Sequence, residues 1–258
     1  MKKRLDTLIF ERRKADSREK AQRLIMAGLV LVDGKMIDKA GTKFEEDIDI
    51  EVLKGPNYVG RGAEKLKGAV EIFRIDFKGK IVADIGASTG GFTDFALKSG
   101  SSIVYAIDVG RGQLDWKLRQ DSRVIVMEKI NTRYLKSLPE KIDIFLIDVS
   151  FISLEKILPA VREIIESNKK TSPSYFRDGR KQEDTKIIVL FKPQFEAGKK
   201  IVDKTKGVIK DPSIHQELLE NFRKWCRENN FKVLGECESP VLGNKGNKEF
   251  FFYLTFQN

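Results

Sequence analysis

The chain of 258 residues has little cysteine, a single histidine and no long apolar run. Two cysteines, Cys226 and Cys237, are too few for a disulfide scaffold. One histidine beside two cysteines is a poor donor set, so no metal is expected. No stretch approaches the roughly 18 apolar residues of a spanning helix, which predicts no stable membrane association. The segment MKKRLDTLIF starts basic, but its apolar run gives way to ERRKADSREK, unlike a secretory signal. A cytoplasmic protein is the expectation. Acid is also in deficit: 48 Lys and Arg face 38 Asp and Glu, a net charge of +10. A surplus of that sign suits a polyanion such as nucleic acid, and equally a well-solvated Lys- and Glu-rich surface.

What is there falls into two parts. Residues 1–54 read as a small basic domain, 55–60 as a Gly- and Pro-bearing linker (KGPNYVG begins one residue earlier), and 61–258 as a larger domain. In the small domain, DSREKAQRLIMAG has a helical pattern, with Asp16 and Glu19 spaced as a capping box and Gly28 placed to end it. LVLVDGKMI reads as a hairpin turning at Asp33-Gly34, and DIDIEV alternates as a further strand. In the larger domain RGAEKLKGAVEIF fits a helix. From Lys80 onward the strands IVADI, IVYAID, VIVME, IDIFLID and IIVLF alternate with helical stretches such as LEKILPAVREIIES. That order predicts an α/β domain with a mostly parallel sheet covered on both faces. A long helix, SIHQELLENFRKWCRENN, then precedes FKVLGECE and EFFFYLTF. The polar, aperiodic run 168–186 reads as a surface insertion.

VADIGASTGGFTD lies where such a sheet places ligands, at the carboxyl end of a strand entering a helix. It is neither a dinucleotide fingerprint, since Ser88 replaces the second glycine, nor a P-loop, since it has no lysine. Asp84 before the glycine turn can order the loop or reach the amino-acid end of a cofactor. Asp108, ending the next strand, can accept hydrogen bonds from ribose hydroxyls. A nucleoside cofactor without a pyrophosphate fits this pattern, and S-adenosylmethionine is such a molecule. The candidate cofactor residues are Asp84, Gly86, Ser88, Gly90, Gly91, Phe92, Asp108 and Asp148. The plain alternative is a Gly-rich turn with an ordinary strand-end acid.

IIVLFKPQFE ends a strand that leads through a core on Lys192, although lysine is seldom buried without a partner. IDIFLIDVSF places Asp148 at the end of another strand, at the same sheet edge. Such a pair can be reactive: a neutral lysine takes a proton from an alcohol, and a charged one stabilises an oxygen gaining negative charge. It can equally be a buried ion pair or an outward-reaching lysine.

Together these segments resemble the TlyA, or haemolysin A, family of ribosomal RNA 2′-O-methyltransferases, whose catalytic domain is similar to the FtsJ methyltransferase. GRGAEKLKGAV, DIGASTGGFTD, DVSFISL, FKPQFEAGK, GVIKDP and SPVLGNKGNKEFFFYL resemble its motifs in order. RLDTLIFERRKADSREKAQRLIMAGLVLVDGKMIDKAG resembles an RNA-binding module of a small-subunit ribosomal protein. The resemblance implies a Rossmann-like methyltransferase domain with a seven-stranded sheet whose last strand is antiparallel, joined to a small α+β RNA-binding domain. It implies a catalytic set of Lys65, Asp148, Lys192 and Glu249, with Lys192 holding or activating the ribose hydroxyl. It implies ribosomal RNA within ribosomal subunits as partner, and cytidine in the small- or large-subunit RNA as target. The linker lacks the Arg-Ala-Trp-Val type of sequence some members carry, and the insertion is longer than expected.

Arg4, Arg12, Arg13, Lys14, Arg18, Lys20 and Arg23 are the candidates for RNA phosphates, contacts that give affinity rather than sequence specificity. Two other readings stand beside the enzyme. A non-catalytic RNA-binding or assembly factor would keep the fold without the reaction. A membrane-active haemolysin would need spanning helices or a closed barrel, which the patterning does not suggest.

Overall fold

In a computed structural model the chain divides into two compact units, Met1–Asn57 and Tyr58–Asn258. The structure describes residues 2–26, 28–53, 58–171 and 184–257. Most of the KGPNYVG linker, residues 54–57, lies outside them, as does 172–183 of the polar run.

The small unit orders as β1 (Lys3–Arg4), α1 (Leu5–Glu11), α2 (Arg18–Met26), β2 (Val30–Val32), β3 (Lys35–Met36), β4 (Lys43–Phe44) and β5 (Ile50–Val52). Its core gathers Leu5, Leu8 and Ile9 of α1, Ala21 and Ile25 of α2, and Val30, Val32 and Ile50 of the strands. The N-cap of α2 is Ser17, not Asp16: the Ser17 hydroxyl accepts from the Lys20 amide at 3.1 Å. With Ser17 as the cap the third helical residue is Lys20, which has no carboxylate to reach back, so the capping box expected from Asp16 and Glu19 does not form. Gly28, at φ +68°, closes the helix, with its amide on Ile25 O and that of Leu29 on Leu24 O. The hairpin turns as expected, Val32 opposite Lys35, with Asp33 and Gly34 both at positive φ.

The larger unit runs α3 (Gly62–Phe73), β6 (Ile81–Ile85), α4 (Gly91–Lys98), β7 (Ile103–Asp108), α5 (Trp116–Arg119), β8 (Val124–Glu128), β9 (Ile144–Ile147), α6 (Leu158–Thr171), β10 (Lys186–Phe191), α7 (Pro193–Glu196), α8 (Lys199–Lys204), α9 (Pro212–Glu228), β11 (Phe231–Glu238) and β12 (Phe250–Phe256). One seven-stranded sheet has the order β11-β12-β10-β9-β6-β7-β8. The β10–β9, β9–β6, β6–β7 and β7–β8 pairs are parallel, and β12 is antiparallel to both its neighbours. Side chains alternate between two cores, as strand geometry requires. Ala83, Ile85, Phe145, Ile147, Val189 and Phe191 pack beneath α6 and α9. Val82, Val104, Ile144, Leu146 and Leu190 pack beneath α3 and α4. All four residues of β9 are buried, which is why the run reads as apolar rather than alternating.

Three further sequence expectations change. LEKILPAVREIIES is not one helix: Leu154–Lys156 forms a 3₁₀ turn and α6 starts at Leu158. Pro159 has no amide to donate and is tolerated only in a first turn. The ends of the polar run 168–186 are also ordered structure. α6 continues to Thr171, the buried Asn168 donates to Glu140 O at 3.2 Å, and the Thr185 hydroxyl donates to Ile142 O at 3.0 Å. Tyr58 and Val59, placed in the linker by their composition, pack on α4, where the Val59 amide donates to Asp94 at 2.9 Å. Among the described residues no helix is long and apolar enough to cross a membrane, and no cluster of His, Cys, Asp and Glu is arranged to hold a metal.

The chain leaves β6 for β7 and β8 on one side, then returns to place β9 on the other. The crevice at the carboxyl ends of β6 and β9 is therefore the switch point where open α/β sheets bind ligands.

Candidate active site

The loop after β6 is shaped by its glycines. Gly86 stands at φ +83°, and a Cβ there would collide with the carbonyl oxygen of Asp148. The close approach of two strand ends thus requires glycine. Gly86→Ala is expected to destabilise the fold by at least the roughly 1–2 kcal/mol a Cβ costs at positive φ, because the collision with the Asp148 carbonyl adds to it; urea denaturation would read it. Gly90, at φ +96°, starts α4 against Leu114 and Leu118. It is not among the residues that line the two cavities described next.

Two cavities meet at this loop. The larger, about 490 Å³, has apolar walls from Ile85, Ile107, Ile130, Val149 and Ile152, with Asp108 and Asn131 among its polar groups. The smaller, about 210 Å³, is polar and is lined by Arg61, Lys65, Asp84, Gly91, Phe92 and Asp148, among others. Gly86, Ser88 and Asp148 line both.

Each acid here has its own environment. Asp108 accepts the Ser88 amide at 2.8 Å and the Gly110 amide at 2.7 Å. It fastens the glycine loop to β7, and each oxygen keeps a second lone pair for a ligand hydroxyl. Asp84 is fully buried; the Thr93 hydroxyl donates to its Oδ2 at 2.6 Å, and its Oδ1 has no partner. Burial pushes its pKa up to about 7; the Thr93 hydrogen bond opposes the shift, and the charges of Asp148 and Asp108 add to it. Asp84 lines the smaller cavity, and its buried, unsatisfied oxygen is an acceptor without a donor.

The four residues Lys65, Asp148, Lys192 and Glu249 sort into two ion pairs. Lys65 Nζ lies 2.7 Å from Glu249 Oε2, and the glutamate is 3% exposed. Lys192 Nζ lies 2.6 Å from Asp148 Oδ1 and donates to the Ser150 hydroxyl at 2.9 Å. The Asp148 contact is one of charge, without a well-aligned hydrogen bond. Lys192 follows β10 and Asp148 follows β9, adjacent parallel strands, so both side chains leave the sheet at one edge. Pro193 then opens α7 with Lys192 as the residue before it. A burying strand ends on lysine here because an acid from the next strand meets it.

The segments after these two residues are joined. Besides the Lys192–Ser150 hydrogen bond, Phe151 and Phe195 stand 5.0 Å apart, and Glu196 accepts the Leu154 amide at 2.9 Å. Sequence reasoning did not single out Ser150, although it sits in DVSF, nor Arg61, Asn131's neighbour Arg133 or Gln113 on the cavity walls. Gly243 was also missed: a Cβ there would strike the Glu249 carboxylate. Glu128, at the end of β8, is held by Arg119 and the Gly112 amide. His215 is buried in the first turn of α9, with Nε2 3.0 Å from Ile209 O.

In the small unit, the basic candidates separate by what already holds them. Arg4 donates twice to the fully buried Asp6, at 3.1 and 2.9 Å, and Arg18 reaches the same carboxylate at 3.5 Å. Arg12 donates to the carbonyls of Ile48 and Glu46 and so ties α1 to the strand segment. Arg13, Lys14, Lys20 and Arg23 are exposed.

Comparison with known proteins agrees with both halves. Residues 58–256 match the FtsJ-like methyltransferase family and residues 3–47 the S4 domain. The 16S/23S rRNA (cytidine-2′-O)-methyltransferase TlyA of Mycobacterium tuberculosis is 37% identical, over 98% of this chain and 90% of that protein. Hemolysin A of Brachyspira hyodysenteriae is 38% identical, over 96% of this chain and 97% of its own. A solved structure from Streptococcus thermophilus, 38% identical, superposes over 100% of this chain and 89% of that one with a TM-score of 0.71. The chain belongs to the FtsJ-like methyltransferase family, in the TlyA or haemolysin A group that carries an N-terminal S4 domain.

Proposed function

We propose that this protein moves a methyl group from S-adenosylmethionine to the 2′-oxygen of a cytidine ribose in ribosomal RNA. The observation that carries the reading is Asp148: it lines both cavities and holds Lys192 at 2.6 Å. A cofactor that spans the cavities and an acceptor that touches Lys192 therefore meet at one residue.

The residues present fit this cofactor. The larger cavity offers apolar walls for adenine and the Asp108 carboxylate for the ribose hydroxyls. The orphaned Asp84 Oδ1 suits an ammonium group, and carboxylates at Asp84, Asp108 and Asp148 favour a cationic ligand. When bound, S-adenosylmethionine supplies an electrophilic methyl on a positively charged sulfur.

The remaining work belongs to the chain. Lys192 has three N–H donors, of which Ser150 takes one, while Asp148 holds the ammonium by charge at 2.6 Å. A donor is left for the acceptor oxygen, which it orients and stabilises as the oxygen–carbon bond forms, the methyl–sulfur bond breaks and the hydroxyl proton passes to solvent. Asp148 keeps Lys192 at that angle. Lys65, fixed by Glu249, adds a second cation beside the smaller cavity. Much of the rate enhancement is alignment of oxygen and methyl, an effect that reaches about 7–11 kcal/mol in well-oriented systems. In the small unit Arg13, Lys14, Lys20 and Arg23 reach phosphates, while Arg4 and Arg18 are preset by Asp6.

The test is transfer of labelled methyl from S-adenosylmethionine to purified 30S and 50S subunits. Label in the RNA of either subunit supports the reading. A protein that binds the cofactor and labels neither is a binding factor with this fold.

Cofactor affinity carries a pH signature. Asp84, at about 7 without ligand, must lose its proton to accept an ammonium group. Affinity for S-adenosylhomocysteine is thus present above that value and lost below it. A fall of about tenfold is expected between about pH 8 and about pH 6, and Asp84→Asn should flatten the profile.

A further inference from the structure

The smaller cavity presents four charged side chains, Arg61, Lys65, Asp84 and Asp148. Two are neutralised by partners: Lys65 by Glu249 at 2.7 Å and Asp148 by Lys192 at 2.6 Å. The other two are not. Arg61 is exposed and has no ion-pair partner among the described residues. Asp84 is fully buried with one oxygen held by Thr93 and the other free. One unpaired cation and one unsatisfied carboxylate are left on the walls of a single polar cavity. The ligand group that satisfies both carries a carboxylate and an ammonium together, which is the α-amino-acid end of a molecule.

The backbone supports the same end. Arg61 immediately precedes α3, a helix of 12 residues, and α4 also begins on this cavity at Gly91. Gly91 packs closely on the start of α3: a Cβ at Gly91 would lie 3.1 Å from the Ala63 amide nitrogen. Two helix N-termini, with their outward amides and positive dipole ends, thus adjoin the site where a carboxylate would meet Arg61.

We infer that Arg61 anchors the methionine carboxylate of the methyl donor, opposite Asp84 on its ammonium. The inference rests on the S-adenosylmethionine reading above and adds to it a residue outside the glycine loop. A planar guanidinium meets a carboxylate with two parallel N–H donors, a geometry that lysine cannot reproduce. Arg61 is thereby a cofactor-binding residue, and its electrostatic job is distinct from that of Lys65 one helical turn on.

The test is calorimetric and needs no turnover. Native protein, Arg61→Ala and Arg61→Lys are titrated with S-adenosylhomocysteine and with 5′-methylthioadenosine, which keeps the nucleoside and lacks the amino acid. Arg61→Ala should weaken S-adenosylhomocysteine by about 10- to 100-fold, the range of a charge-assisted contact. It should leave 5′-methylthioadenosine unchanged, and Arg61→Lys should recover part of the loss. If Arg61→Ala binds S-adenosylhomocysteine like the native protein, the inference is overturned, and a loss of RNA affinity alone would mean that this arginine serves a phosphate. Equal weakening of both ligands would overturn it too, by placing the effect on the nucleoside or on folding. Failure of the native protein to bind either ligand would instead remove the methyl-donor reading, and the inference with it.

Discussion

Lys192→Ala is expected to lower kcat by about 10²- to 10⁴-fold, the range for loss of a positioned proton-handling or charge-stabilising group. Affinity for S-adenosylhomocysteine should stay within a few-fold of the native value, because Lys192 is on the walls of neither cavity. The substitution removes the cation beside Asp148 and leaves Ser150 without its donor. Lys192→Arg should not restore the rate. Lys192 is 8% exposed and its ammonium is bounded by Asp148, Ser150 and the Phe195 ring at 5.8 Å, and a wider planar guanidinium does not share that geometry. Single-turnover transfer with saturating cofactor isolates the step. A variant that folds, binds cofactor and transfers methyl at near the native rate would remove Lys192 from the reaction.

Glu249→Ala is expected to cost about 3–5 kcal/mol of stability, the usual penalty for breaking a buried ion pair by removing one partner. The glutamate side chain is 3% exposed and that of Lys65 13%, so the stranded ammonium has little access to water. The backbone of Glu249 belongs to the sheet as well, accepting the Ser239 amide at 2.8 Å just before β12. Stability and catalysis can be separated by replacing both partners. Lys65→Met with Glu249→Leu should recover most of the stability, since an apolar pair of similar volume is tolerated where a lone charge is not. It should not recover methyl transfer, if Lys65 contributes its charge to the site. Urea denaturation and transfer assays on the two singles and the double form the cycle. A double variant that regains activity along with stability would make the pair purely structural.

How far the sequence carried depended on whether partners are local. The buried parallel strand Ile144–Ile147 and the alternation around it were readable because four consecutive apolar residues bounded by turns allow little else. Asp148 and Lys192 could be placed at one sheet edge by topology alone, each being the residue after a strand. Their contact with Ser150 could not, since it depends on how the chain turns after β9. The pairing of Lys65 with Glu249 spans 184 positions and leaves no local pattern. Only the family resemblance brought those two together. The same limit explains Arg12 and Arg4. Both look like free basic residues in the sequence, yet one is tied to backbone carbonyls and the other to buried Asp6. At α2, Ser17 and Asp16 are both good caps, and a one-residue difference decides which hydroxyl or carboxylate reaches the amide. The unpaired oxygen of Asp84 is a property of packing, and no spacing announces it.

The most direct measurement of the central claim is the identity of the methylated nucleoside. Ribosomal RNA labelled by the protein would be digested to nucleosides and separated by liquid chromatography with mass detection. The Lys192–Asp148 pair beside the joined cavities predicts label in a 2′-O-methylated nucleoside, 2′-O-methylcytidine under the proposed function, absent when Lys192→Ala replaces the native protein. Label in a base-methylated nucleoside would contradict the account, because the methyl would then have left the site toward a ring atom and not toward the ribose oxygen held at Lys192.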